Sequence, residues 1–226
     1  MTPEPISVSR LIRSRRRTVA LQIDRDASLV VRVPERLSEK EILRVLEGRR
    51  GWILEQQEKA RRRILRTPER RFEEGCTFPF MGIEYPLFFS RDMHADIIFE
   101  KAFYIRHDLK SDARRVLESW WRWQAGLLLE ERSRYYARAA GVSFSRIRIT
   151  GAKTRWGSCS YAGALSYSWR LVLTPPEAAD YVAAHEVAHL TVRNHSPIFW
   201  KKVASLYPDY LKWKRWLDEN GSLTHF

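Results

Sequence analysis

Residues 174–196 read Thr-Pro-Pro-Glu-Ala-Ala-Asp-Tyr-Val-Ala-Ala-His-Glu-Val-Ala-His-Leu-Thr-Val-Arg-Asn-His-Ser. Thr174 followed by Pro175 and Pro176 is a helix-start signal. Proline's fixed φ suits the first helical turn, where a missing N–H is harmless, and Thr174 is the expected cap. The spacing predicts a helix over about 177–192. Its body, with Tyr181, Val182, Ala183, Ala184, Val187, Ala188 and Leu190, is apolar and small-sided, as in a buried helix. Two histidines and a glutamate on such a helix must be satisfied by something. His185 and His189 lie about 40° apart around the axis, so both imidazoles reach one point, and Glu186 lies about 100° round from His185. This HExxH spacing suits two neutral imidazoles on a metal ion, with a carboxylate taking a proton from the activated water. Satisfied core histidines are the plainer alternative.

A third ligand is sought downstream. Between Glu186 and Glu219 the chain has no glutamate, and only Asp209 and Asp218 as other acids. His195, ten residues after His185, is therefore the expected third ligand, provided the chain turns sharply after the motif helix. Val192 stands where glycine often serves such a turn, so Asn194 is expected to take the left-handed conformation instead.

Upstream, residues 145–150 and 164–173 alternate polar with apolar and read as strands. Lys153-Thr-Arg-Trp-Gly-Ser-Cys-Ser160 links them. Gly157 allows this loop to approach a site closely. Arg155 or Ser158 then becomes a candidate for oxyanion stabilisation or phosphate binding. A structural β-hairpin connection is the competing reading, and Cys159 reads as a small packed residue. Downstream, Ser196-Pro197 opens one helix, and Pro208-Asp209 separates it from another ending near Gly221.

The first half has a different texture. Residues 17–23 and 28–33 form an expected strand pair. Ser38 and Glu41 make a capping box for a helix over 38–64, with Ile42, Leu43, Leu46, Trp52 and Ile53 on its apolar side and a break at Pro68. Short strands are expected over 76–106, and then a tryptophan-rich helix from about Ser111 to Ala140, stopped by Gly141. The expected division is a β-rich region with one helix over 1–108 and a catalytic region over 109–226. His94, His107 and His225 stand alone and read as surface groups.

Composition narrows the classes. The 226 residues hold 44% hydrophobic and 30% charged side chains, which excludes general disorder. The longest uncharged run, Trp156 to Trp169, is rich in Ser, Gly and Tyr, so no membrane span and no membrane partner are expected. The N-terminus runs from prolines into arginines without an apolar stretch, so no signal peptide is expected. Two cysteines, Cys76 and Cys159, make no disulfide framework. The formal charge of +13 suits phosphates or nucleic acid, or is simply a solubilising surface.

Thr154-Arg-Trp-Gly-Ser-Cys159, His185-Glu-Val-Ala-His-Leu190 and Asn194-His-Ser196 with Phe199-Trp200 together resemble the bacterial YgjP-like metallopeptidase-domain proteins, relatives of SprT-like and minimal zincin peptidases. The resemblance implies an α+β, zincin-like catalytic fold, one Zn2+ per chain and a cytoplasmic location. It implies His185, His189 and His195 as zinc ligands and Glu186 as catalytic base. Peptide hydrolysis by a zinc-activated water is the leading expectation, with Arg155 or a tyrosine stabilising the oxyanion. Nucleoside-triphosphate (UTP) pyrophosphohydrolysis is the alternative, and a nucleic-acid-associated SprT-like protease the third. The substrate is thus a peptide or protein, or a nucleotide. The sequence leaves the oligomeric state open.

Overall fold

The computed structural model describes residues 6–24, 26–66 and 70–224. The chain divides into two compact units, 1–68 and 69–226. The boundary thus falls well before residue 108, and the strands of the 76–106 segment belong with the unit that holds the HExxH motif. The break expected at Pro68 and the surface position expected of His225 lie outside the described residues.

The first unit is a small sheet with two helices. Strands β1 (Arg10–Ser14), β2 (Ala20–Ile23) and β3 (Leu29–Pro34) lie in the order β1-β3-β2. β2 and β3 pair antiparallel, as the alternation predicts, and β1 adds a parallel neighbour to β3. Helix α1 (Glu39–Gly48) opens with the expected capping box: Glu41 N–H donates to Ser38 Oγ and Ser38 N–H donates to Glu41 Oε2. Instead of one helix over 38–64 there are two, because the backbone leaves helical geometry at Arg49 before α2 (Arg50–Arg66) begins. Ile42, Leu46 and Ile53 pack with Leu29, Val31 and Val33, whereas Leu43 and Trp52 are exposed.

In the second unit, β4 (Thr77–Phe80), β5 (Ile83–Ser90), β6 (Ile97–Phe99) and β7 (Phe103–Arg106) form a sheet in the order β4-β5-β7-β6. A 3-10 turn over His107–Asp112 leads into the long helix α3 (Ala113–Ala140), which stops at Gly141 with φ of 68°. A second sheet, ordered β8-β10-β9, holds β8 (Arg146–Thr150), β9 (Gly157–Cys159) and β10 (Ala164–Ser168). Trp121 of α3 ties the sheets together. It touches Phe78 and Phe103 of the first and stacks on Trp169, just past β10, at 5.6 Å and 7°. Burying aromatic surface of this size contributes about 1.5–3 kcal/mol per ring. The stack also explains why β10 ends at Ser168 and not at Leu173: Trp169–Leu173 coils into a wholly buried 3-10 turn.

Helices α4 (Pro176–Ala188), α5 (Pro197–Leu206) and α6 (Tyr210–Asn220) complete the unit. Pro175, not Thr174, is the N-cap of α4; the Thr174 hydroxyl donates to the Leu171 carbonyl at 2.8 Å instead. The whole is α+β, a short mixed sheet with the HExxH helix against it. Among the described residues no helix is long and apolar enough to cross a membrane.

Candidate metal centre

α4 carries the motif, and it is buried almost all round; Glu186 is 5% exposed. The helix ends at Ala188, four residues earlier than expected. His189 caps it, and the following N–H groups of Leu190 and Thr191 bond to carbonyls three residues back, tightening the exit. The Val192 carbonyl then accepts from His189 Nδ1 at 3.0 Å. No left-handed residue makes the turn: Asn194 keeps a negative φ, and its Oδ1 accepts the Ser196 N–H at 3.3 Å. The chain is thereby folded back sharply enough to bring His195 over the helix.

His195 Nε2 lies 3.2 Å from the Nε2 atoms of both His185 and His189. The three residues are the group suited to holding a metal ion among the described residues. Tetrahedral ligands at a metal–nitrogen distance of about 2.0–2.1 Å sit about 3.3 Å apart, so the spacing of those two pairs fits. The protonation states fit as well. Burial drives the His185 imidazole down to about 3, helped by its histidine neighbours, and lowers His189 too. Neutral His189 donates its Nδ1 proton to the Val192 carbonyl, so its Nε2 presents a lone pair toward the other two imidazoles.

An aromatic wall fixes the ring planes. Fully buried Phe199 stacks on His189 at 4.3 Å and meets His185 and His195 edge-on. Trp200 stacks on His195, and Tyr210 on Trp200. Tyr181, one turn before His185, places its hydroxyl 3.5 Å from His185 Nδ1. The sequence shows these aromatics at helical spacings typical of plain packing, and only the resemblance had attached Phe199-Trp200 to the site.

Glu186 is the other half of the centre. Its Oε2 is buried without a hydrogen-bond partner. Burial pushes the carboxyl up to about 8, opposed by the Arg155 charge. β9 passes directly over it. A Cβ built on Gly157 would stand 2.6 Å from Glu186 Cγ and Oε1, so no side chain fits there. The close approach expected of the glycine is thus present. Arg155 is exposed, and its charge reaches the carboxylate. Ser158 is different: alternation along β9 turns its hydroxyl to the face opposite Gly157, away from Glu186. Cys159 returns to the Gly157 face, where burial raises its thiol and Arg193 draws it down. His94 and His107 are exposed and far along the chain from this cluster.

The sequence model of the YgjP-like, metallopeptidase domain family matches residues 17–220. The chain belongs to the YgjP-like family. Membership makes it a metallopeptidase-domain protein, and the imidazole trio is where this YgjP-like chain has donors for a metal. A search of curated proteins gave no match. Among solved structures, the metallopeptidase zymogen abylysin of Pyrococcus abyssi aligns at 22% identity and a TM-score of 0.37, over 40% of this chain and 93% of that one.

Proposed function

We propose that this chain is a zinc-dependent peptidase in which His185, His189 and His195 hold one Zn2+ and Glu186 is the general base. The observation that carries the reading is the convergence of three imidazoles beside a buried carboxylate oxygen that has no partner of its own. All-nitrogen, uncharged donors suit zinc better than magnesium or calcium, which prefer oxygen. Zinc at such a position polarises a carbonyl and lowers the pKa of a bound water. The chain's own residues do the rest. Glu186, raised by burial, is poised to take a proton from the attacking water and return it to the leaving amine. A cation on the three imidazoles would pull its pKa down again and keep it a base at neutral pH. The exposed Arg155 offers a counter-charge for a developing oxyanion.

A peptide suits this site because β9, beside Glu186, is an edge strand of its sheet. One row of its main-chain groups has no strand partner and can align an extended chain. Arg155 favours a second reading, hydrolysis of a nucleoside triphosphate such as UTP, since a guanidinium beside the carboxylate also suits a phosphate.

The test is a zinc-loaded preparation assayed on denatured casein and on UTP, with Glu186→Gln alongside. The peptidase reading expects about one zinc per chain, casein cleavage, and loss of at least about a thousandfold of it in Glu186→Gln with zinc retained. UTP turnover alone would replace the reading by the second. Failure to bind zinc would end both.

A further inference from the structure

Between the metal-ligand helix and His195, one side chain reaches out of the turn to the second sheet. Arg193 Nη1 donates to the Ser160 carbonyl at 2.8 Å, and Nη2 to the Tyr161 carbonyl at 3.3 Å. Nη1 also lies 3.3 Å from Cys159 Sγ, and the guanidinium sits over the Tyr161 ring at 5.4 Å. The fork thus grips three consecutive residues, 159–161, at the end of β9 and the turn into β10. At one end of this grip, two residues away, is His195. At the other, two residues before Cys159, is Gly157 pressed against the Glu186 carboxylate.

We propose that Arg193 is a positioning residue that locks the β9–β10 hairpin onto the ligand-bearing turn, and so holds Gly157 at its close approach to Glu186. The inference rests on the peptidase reading for its kinetic consequence but not for the clamp itself. β9 is an edge strand of three residues, with β10 as its strand neighbour. So short a strand has limited pairing of its own, and Arg193 adds a tether at its turn, where the Ser160 carbonyl also accepts the Gly163 N–H. Lysine cannot substitute fully. Its single ammonium lacks the planar fork that serves separate carbonyls at once and stacks on a tyrosine. The substrate would lie beside this strand, and misplacement of about 1 Å at a reacting centre costs on the order of a hundredfold in rate.

The experiment uses Arg193→Met and Arg193→Lys in the zinc-loaded full chain with Cys76→Ser, so that Cys159 is the one thiol. Three quantities are measured: zinc per chain, steady-state casein cleavage, and the rate of Cys159 alkylation by iodoacetamide in the folded protein. Loss of the Arg193 charge alone would raise the thiol pKa and slow alkylation. Release of the hairpin would expose the half-buried sulfur and speed it. Expected for Arg193→Met are unchanged zinc, alkylation faster by about tenfold, and kcat lower by roughly ten- to a hundredfold with a smaller change in KM. Arg193→Lys should fall between, and it decides the matter if the methionine variant does not fold. Alkylation that is unchanged or slower, full turnover, or loss of zinc in step with activity would overturn the proposal. If the parent cleaves no peptide, the peptidase reading falls, and the alkylation rates still decide whether the clamp exists.

Discussion

Helices α3 and α4 lie against each other and are built to opposite rules. α3 has 28 residues and buries a single stripe: Ala113, Val116, Leu117, Trp121, Ala125, Leu129, Ser133, Tyr136 and Ala137. Its other face is wet, with Trp123, Leu127 and Tyr135 more than half exposed among arginines and glutamates. α4 has 13 residues, and among them only Glu177 is exposed. Alanines at 178, 179, 183, 184 and 188 let neighbours close in on every side. The difference teaches what each arrangement is for. A helix packed along one stripe has one fixed side and one tolerant side, and it can organise two sheets. A helix enclosed all round has no tolerant side, and its side chains can be aimed to within the distance a metal centre requires.

The largest break in that comparison comes from α4's chemistry. His189→Ala removes a donor whose two nitrogens are both engaged, one with Val192 and one toward His195. Zinc stoichiometry measured by mass spectrometry should fall from about one to near zero, with activity following. Chelation of the wild-type protein is next. A metal that binds only the folded state adds about 2.7 kcal/mol when free metal is a hundredfold above Kd, so the apo form should melt lower in calorimetry. Third is packing. Ala183→Leu forces three extra carbons into a site of 0% exposure and should cost about 1–3 kcal/mol by urea unfolding. The matching change on the tolerant side of α3, Leu127→Ala, should stay within about 0.5 kcal/mol. Equal costs would refute the contrast.

The smallest effect lies at the interface of the two helices. Asp180 of α4 pairs with Arg132 of α3 at 3.2 Å. Burial raises the Asp180 carboxyl above its ordinary 3.8 despite the arginine. The folded state therefore keeps this proton to a higher pH than the unfolded chain does. The group's stabilising contribution is present below the unfolded value and is lost as pH rises through the folded one. Asp180→Asn should flatten that part of the stability–pH curve just above 3.8, read from urea midpoints.

Much of this was legible in the residues because its causes are local. Ser38 and Glu41 bond to each other's backbone, Gly141 takes the left-handed angle that ends α3, and His185 with His189 is set by helical pitch alone. What was not legible depends on residues far apart in sequence. The end of β10 at Ser168 follows from the stack of Trp169 on Trp121, 48 positions earlier. The division of the chain moved from 108 to 68 because the strands of 76–106 pack, through Phe78 and Phe103, on α3. The tightened exit of α4 carries a bond from the His189 side chain to the Val192 carbonyl, an interaction with no sequence signature. Ser158 looked as available as Arg155 until strand alternation assigned it the other face. Arg193 has no role legible in the sequence because its partners lie more than 30 residues away.

The contact between Gly157 and Glu186 also has a meaning for how this sequence can change over time. All nineteen other residues carry a Cβ, and a Cβ at 157 would meet the carboxylate at 2.6 Å. Position 157 therefore has no single-step neighbour in sequence space that keeps both the strand and the acid where they are. Any lineage that loses this glycine must also move β9 or the Glu186 side chain, so variation at 157 among working descendants should arrive together with a compensating change at one of the two.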